Sequence, residues 1–263
     1  MRSFFRGILK NILGYLSRIA IKKHNTDLII ITGWTGTRIV RELAYSMLND
    51  EFNVRRNTKE VWWDLSVPLN ILGYDDRRRN VYEWIGIIFR SIYNILFKRK
   101  YPHKIIINID TSIKDVAEFW SKYIEPKIVV VLKERPNSKL MNIFKEPKFI
   151  KDVLYVYNPK VCNEFKNLNC NKFKFSFFNA DLVYKKIGKY LYLKYKNDKE
   201  KIKISETYKI IWKFIPAAMS IGLCESISLK ILCENISQFY FHPNQIKSGI
   251  SKLKEFITNN GEK

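Results

Sequence analysis

A short apolar run, two glycines and an amphipathic segment follow one another within residues 28–48, and this order constrains the fold more than any other part of the chain. Residues 28–31 are Leu and Ile only, which is typical of a strand buried in a parallel sheet. Apolar residues then recur at helical spacing between Val40 and Leu48. The pattern predicts a strand, a loop around Gly33 and Gly36, and a helix packed on the sheet.

The predicted loop has glycines placed as in a phosphate-binding loop. In such loops backbone N–H groups approach a phosphate at the helix N-terminus, a Lys reaches the terminal phosphates, and a Ser or Thr hydroxyl holds Mg²⁺. Thr37 stands at the lysine position and Arg38 at the hydroxyl position. A strand-to-helix turn that only needs flexible residues is the alternative, because closely spaced glycines are common. The candidate nucleotide-binding residues are Thr32, Gly33, Thr35, Gly36, Thr37 and Arg38.

Other segments of the chain predict an α/β fold with a mainly parallel sheet and a small antiparallel extension. Further apolar runs alternate with helical segments, as in βαβ units. They lie near residues 104–109, 127–132 and 153–157. Beyond Phe173 apolar and polar residues alternate, with a hairpin turn at Ile187–Gly188, so the extension is expected there. Its strands are predicted at residues 172–178, 182–186 and 190–195, and helices at 205–223 and 226–239.

Several segments resemble the Mur ligases, the ATP-dependent amide ligases of peptidoglycan synthesis, and particularly the members that add D-alanyl-D-alanine. The strand, loop and helix of residues 28–48 are similar to the family's ITGSxGKTxTKELL, and residues 66–73 (SVPLNILG) to its GVPLTILG. Residues 101–115 and 125–132 resemble two further strands, and residues 215–223 resemble the alanine-rich helix that closes the central domain. The resemblance extends over residues 5–245, in the family's order.

That resemblance implies ATP and Mg²⁺ as cofactors, and a cell-wall precursor or a partner enzyme as a binding partner. The chain differs from the family's motifs at positions that hold catalytic or ligand-binding residues in the family. Trp62 and Trp63 replace two asparagines, and residues 133–139 lack the family's histidine. The acidic residue that helps to hold Mg²⁺ aligns near Ile107, with Asp110 as the closest carboxylate. The family's modified lysine has three candidates, Lys145, Lys148 and Lys151. We therefore expect weak or lost ATP binding and no turnover.

The resemblance also suggests a division of the chain into three parts. Residues 1–26 are expected to form a basic amphipathic helix, residues 27–240 a Mur-ligase-like central domain, and residues 241–263 a short tail. The resembled ligases carry a further domain on each side of the central one. A complete ligase reaction would then need a partner chain.

Residues 1–23 have the pattern of an interfacial amphipathic helix, with apolar residues at helical spacing and no acidic residue. We expect it to bind an anionic membrane surface, which would place the protein in the cytoplasm, peripheral to the inner membrane face. A helix packed on its own domain is the alternative. Residues 84–97 are too short to span a bilayer and are expected to form a buried or surface-docked helix. The cations of residues 1–23 are Arg2, Arg6, Lys10, Arg18, Lys22 and Lys23.

The net charge of +22 favours a polyanionic partner or surface. Nucleic acid is the less favoured partner, because the sequence shows no recognition module. Three functional hypotheses remain. The first is a degenerate, non-catalytic Mur-ligase-like protein that acts as a binding or regulatory element near the membrane. The second is an active, divergent ATP-dependent ligase in which Arg38 takes the role of the missing lysine. The third is a basic polyanion or nucleic-acid binder.

Overall fold

The computed structural model of the chain describes most residues up to Phe241. The described residues are 2–33, 36–57, 65–75, 77, 79–97, 101–109, 123–132, 153–160, 162, 170–204 and 211–241. The strands are β1 (Asp27–Thr32), β2 (Val54–Arg56), β3 (Lys104–Ile109), β4 (Ile128–Val131), β5 (Leu154–Tyr157), β6 (Asn171–Ser176), β7 (Leu182–Ile187), β8 (Tyr190–Tyr195) and β9 (Asp198–Lys203). The helices are α1 (Arg2–His24), α2 (Thr37–Leu48), α3 (Ser66–Leu72), α4 (Val81–Phe97), α5 (Ile215–Cys224) and α6 (Leu229–Phe241), with a 3₁₀ turn at Ile211–Lys213 before α5.

The described strands form one sheet in the order β2-β3-β1-β4-β5-β6-β7-β8-β9. Neighbouring strands are parallel from β2 to β7, and β7, β8 and β9 are antiparallel to one another. The strand β1 is central, with Ile30 paired with Ile107 of β3 on one side and Val129 of β4 on the other. The prediction of a mainly parallel sheet with an antiparallel extension is confirmed.

The extension differs from the prediction in two strands. The strand β6 was expected to be antiparallel, but it pairs in parallel with both β5 and β7. Alternation of apolar and polar residues reports which face is buried, and it carries no information on strand direction. The strand β9 was not predicted, because Ile202 is its one fully buried side chain. The hairpin turn lies at Gly188–Lys189, one residue later than expected, since Ile187 pairs with Tyr190 and Gly188 has a φ of +57°.

Helices cover both faces of the sheet. Ile29 and Ile31 point towards the face that is covered by α2, α5 and α6. Leu28 and Ile30 point towards the opposite face, where α1, α3 and α4 lie. The alternation within β1 therefore explains why its whole run of residues is apolar, as expected for a strand buried on both faces. No helix within the described ranges is long and apolar enough to cross a membrane.

Candidate functional site

The loop after β1 has the backbone geometry that its glycines predict. Gly33 has a φ of +133° and Gly36 a φ of +83°, both in the region that L side chains rarely adopt. Thr32 ends β1, and its Oγ1 donates a hydrogen bond to the carbonyl of Ile109 at 3.3 Å, which ties the loop to the carboxyl end of β3. The loop therefore lies at the carboxyl edge of the parallel strands, where ligands bind in open α/β sheets.

The N-terminus of α2 follows this loop directly and carries a partial positive charge. Gly36 is the N-cap residue and makes no side-chain capping bond, and the first turn contains no acidic residue. The N–H groups of a first turn have no partner within the helix. Together with the helix dipole they favour an anion at this position. Thr37 and Arg38 lie on this turn, both partly exposed.

A buried arginine on the next turn of α2 was not anticipated from the sequence. Arg41 is 1% exposed. Its Nη1 donates to Oδ1 of Asn108 on β3 at 2.5 Å, and its Nη2 and Nε donate to Oε1 of Glu42 at 2.6 and 3.0 Å. Burial lowers the pKa of the Arg41 guanidinium, Glu42 opposes this shift, and Arg38 and Arg56 add to it. An arginine so near one carboxylate remains charged.

The side-chain oxygen of Asn108 is fully used by protein donors. Its Oδ1 accepts a second hydrogen bond, from Nδ2 of Asn57 at 2.8 Å, and its backbone N–H donates to Oδ1 of Asn57 at 3.2 Å. Asn57 and Asn108 are both buried. A carbonyl oxygen has two lone pairs, and both are used here. Asn108 and Asn57 thus fix the carboxyl ends of β2 and β3 to each other and to Arg41.

Positive charge exceeds negative charge around this cluster. Arg56 pairs with Oε2 of Glu42 at 2.8 Å, and its guanidinium lies 3.8 Å from the ring centre of Tyr45. Arg38 is close enough to Arg41 to lower its pKa. Among the described residues of this cluster, three guanidinium groups therefore accompany the carboxylate of Glu42. This imbalance suits a phosphate-bearing ligand.

The same residues do not fit Mg²⁺. A magnesium ion takes oxygen ligands in octahedral geometry, usually from carboxylates, waters and substrate phosphates. The acidic Mg²⁺ ligand of the resembled family aligns near Ile107. Ile107 is buried on the face of the sheet opposite α2. Its neighbour Asn108 faces α2, but its oxygen accepts from Arg41 and Asn57. A guanidinium 2.5 Å from that oxygen would also repel a divalent cation.

An aromatic ring also borders the loop. A Cβ added to Gly36 would lie 1.9 Å from Cε1 of Phe214, the residue that precedes α5. Phe214 is partly buried and packs against the core on the α2 face. No sequence pattern predicts this contact, because the two residues are far apart in the chain. Gly36 is therefore required both by its positive φ and by the ring beside it.

Five of the predicted nucleotide-binding residues meet at the carboxyl edge of β1, namely Thr32, Gly33, Gly36, Thr37 and Arg38. Thr35 and Asp110 lie outside the described residues, and so do Trp62, Trp63, residues 133–139 and the three candidate lysines. The structure adds three residues to this edge that local sequence patterns do not place there, namely Asn57, Arg41 and Asn108.

A second charged cluster lies at the opposite, amino edge of the sheet. Lys104 is 3% exposed, and its Nζ lies 2.5 Å from Oε2 of Glu225 and 2.9 Å from Oδ2 of Asp27. Lys127 reaches the same two carboxylates, at 2.8 Å from Asp27 and 3.2 Å from Glu225. Burial opposes ionisation of Asp27, but hydrogen bonds from the two lysines outweigh it and lower the pKa of the carboxyl.

Comparisons with known proteins agree with this architecture. The sequence matches no protein-family model, and no curated relative is detected. Among solved structures, MurF from Acinetobacter baumannii is similar, with a TM-score of 0.62, 13% identity, and coverage of 87% of this chain and 49% of that one. MurF from Thermotoga maritima in complex with ADP gives a TM-score of 0.57 at 14% identity, covering 85% of this chain and 52% of that one.

A pseudomurein peptide ligase type C from Methanothermus fervidus is also similar, with a TM-score of 0.56 at 13% identity over 83% of this chain and 50% of that one. The chain spans about half the length of the solved structures it matches. At these identities the likeness establishes a Mur-ligase-like fold.

Proposed function

We propose that this chain is a non-catalytic, Mur-ligase-like domain that serves as a binding or regulatory element. The observation that carries the proposal is the Arg41–Asn108–Asn57 cluster at the carboxyl edge of the sheet. Phosphoryl transfer from ATP relies on a metal ion that bridges the phosphates and neutralises developing charge. In the resembled family the acidic ligand aligns near Ile107. Next to that position lie the amide of Asn108, whose oxygen has no free lone pair, and the buried guanidinium of Arg41.

The loop supports the same conclusion. Thr37 stands where a phosphate loop places its lysine, so the cation that contacts the terminal phosphates is absent from that position. Removing one preorganised donor from an active site costs about 10²- to 10³-fold in rate. Loss of the lysine, together with an isoleucine where the acidic ligand aligns, would abolish measurable turnover.

The domain would keep the ability to bind a phosphate group without a metal. The N-terminus of α2, Arg38 and the surplus guanidinium charge favour an anion. Cell-wall precursors and nucleotides both carry phosphates, and they are the proposed ligands. Solved structures of this fold include a UDP-N-acetylmuramoylalanyl-D-glutamyl-2,6-diaminopimelate--D-alanyl-D-alanyl ligase and a pseudomurein peptide ligase type C.

Turnover by the full chain tests the proposal. The protein would be incubated with Mg-ATP, D-alanyl-D-alanine and a UDP-N-acetylmuramoyl tripeptide, and ADP and the amide product would be measured. MurF from Acinetobacter baumannii serves as the positive control. We expect neither product above background. ATP-dependent amide formation by this chain would refute the proposal.

An active, divergent ligase is the second candidate, and the position of Arg38 on the first turn of α2 favours it. A guanidinium is permanently charged and well suited to phosphate. However, the next residue along a helix is rotated by about 100°, so Arg38 does not take the direction of a side chain at position 37. If this candidate holds, Arg38→Ala abolishes the amide formation that the wild type shows, whereas Thr37→Ala leaves most of it.

A further inference from the structure

The helix α4 presents a broad apolar face to solvent. Its buried edge consists of Ile87, Ser91 and Ile95, spaced four residues apart. The opposite side is equally apolar but exposed, with Tyr82 at 84% and Phe89 at 69%. A surface helix normally turns polar residues outwards. The exposed apolar residues of α4 are Val81, Tyr82, Ile85, Phe89, Ile92, Tyr93, Leu96 and Phe97.

The helix α1 repeats this arrangement beside α4. Its buried edge includes Leu13, Ser17 and Ala20, and it packs against α3 and α4. The Nζ of Lys23 donates to the carbonyl of Leu96 at 3.3 Å, so the C-terminal ends of the two helices lie together. Its exposed apolar residues, at helical spacing, are Ile8, Ile12, Tyr15 and Ile19.

Both helices cover the same face of the sheet and touch each other, so their outward sides form one surface. We name this surface, made by the exposed apolar residues of α1 and α4, the outer helical face. Contiguous exposed apolar patches of this kind mark interaction sites in soluble proteins. Single exposed apolar residues scattered over a surface are common and do not indicate an interaction site.

The charges around the outer helical face are mainly positive, and the nearby acids Glu83 and Glu125 are each paired with an arginine, Glu125 with Arg18 at 3.3 Å. The helix α1 contains no acidic residue, and Lys22 and Lys23 are exposed at its end. On α4, Arg90 is exposed, and the helix has one acid, Glu83, which pairs with Arg77 at 2.7 Å. An apolar face bordered by cations complements an anionic lipid surface, which offers acyl chains and negative headgroups together.

We propose that the outer helical face docks the protein on an anionic membrane surface, with α1 and α4 lying in the interface side by side. The three tyrosines of the face, Tyr15, Tyr82 and Tyr93, suit the boundary between headgroups and acyl chains. A second copy of the chain is a poorer occupant, because it would bring the same cations into opposition. The proposal is independent of the proposed function, since no residue of the phosphate loop takes part.

Vesicle co-sedimentation of the full chain tests the docking. We expect binding to vesicles of equal parts phosphatidylglycerol and phosphatidylcholine, and at least about tenfold weaker partitioning to phosphatidylcholine alone. Raising the salt from about 50 to about 500 mM should weaken the binding to anionic vesicles, because the attraction is screened. Equal partitioning to both vesicle types, or none to either, would overturn the proposal.

Matched variants assign the binding to α4. Removing two exposed aromatics in Tyr82→Ser/Phe89→Ser should weaken partitioning by at least about tenfold, because their apolar area no longer enters the lipid. Phe178→Ser is the control, since Phe178 is 73% exposed and lies beyond β6, away from the outer helical face. It should bind vesicles like the wild type. Thermal melts would show that both variants remain folded.

The same double variant separates lipid from protein as the occupant. Sedimentation velocity without lipid should give a monomer for the wild type and for Tyr82→Ser/Phe89→Ser. If instead the wild type is a dimer that the variant dissociates, and vesicle binding is unchanged by the variant, the face is an interface between copies and the membrane proposal is wrong.

Discussion

The two edges of the parallel sheet hold their charges differently. At the amino edge two lysines, Lys104 and Lys127, face two carboxylates. At the carboxyl edge, beside the N-terminus of α2, three described arginines accompany the carboxylate of Glu42. The amino-edge cluster balances its own charges and serves the fold. The surplus of cations at the carboxyl edge leaves a place for an anion. The charges at the amino edge therefore stabilise the fold, whereas those at the carboxyl edge are available to a ligand.

The amino edge should respond most strongly to mutation. Lys104→Met leaves Glu225, which is 5% exposed, with the more exposed Lys127 as its remaining partner. Breaking a buried ion pair in this way should lower the free energy of unfolding by about 3 kcal/mol, measured by urea denaturation. The exposed partner gives the control, because Lys127→Met should cost less than about 1 kcal/mol. Equal costs for both variants would show that burial does not distinguish the two lysines.

The loop should be the next most sensitive feature. Gly36→Ala places a Cβ against the ring of Phe214 in addition to straining a positive φ. We expect a loss of about 2 to 3 kcal/mol in the free energy of unfolding. Gly188→Ala is the matched control, because Gly188 also has a positive φ but open space around it, and it should lose only about 1 kcal/mol. A loss at Gly36 no greater than at Gly188 would contradict the contact with Phe214.

Arg38 should affect binding without affecting the fold. Its side chain is partly exposed on the first turn of α2, so Arg38→Ala should leave the urea midpoint unchanged within error. Affinity for inorganic pyrophosphate, measured by isothermal titration, should fall about tenfold, whereas Thr37→Ala should have a much smaller effect. The idea of surplus charge fails if Arg38→Ala binds pyrophosphate as tightly as the wild type.

Acid should weaken the amino edge by a small amount. The pKa of Asp27 in the folded chain is lowered from its ordinary value of 3.8. A lowered pKa means that Asp27 stabilises the fold fully above that ordinary value, and that this contribution is lost as the pH falls towards the folded pKa. Between about pH 5 and about pH 3 the urea midpoint of Asp27→Asn should therefore fall less than that of the wild type. Parallel curves for the two proteins would assign the acid sensitivity to other groups.

The sheet could be predicted from the sequence because β1, β3, β4 and β5 are short apolar runs, as buried parallel strands usually are. The glycine loop was also found, since its spacing carries the signal. The Arg41–Asn108 contact was missed because it joins residues that are 67 positions apart. A sequence signal did exist, because Arg41 interrupts the apolar stripe of α2 and Asn108 interrupts the apolar run of β3. Pairing two such interruptions requires the strand order, which local patterns do not provide.

The affinity of the full chain for ATP, titrated with Mg²⁺ and again with EDTA, is the sharpest test of whether this edge holds phosphate without a metal. Mg²⁺ neutralises part of the phosphate charge. An edge whose described residues offer guanidinium groups and no site that fits Mg²⁺ should therefore prefer the free nucleotide. We expect ATP in EDTA to bind more tightly than Mg-ATP. Binding that Mg²⁺ strengthens would show a working metal site, and would contradict the conclusion that this edge has lost one.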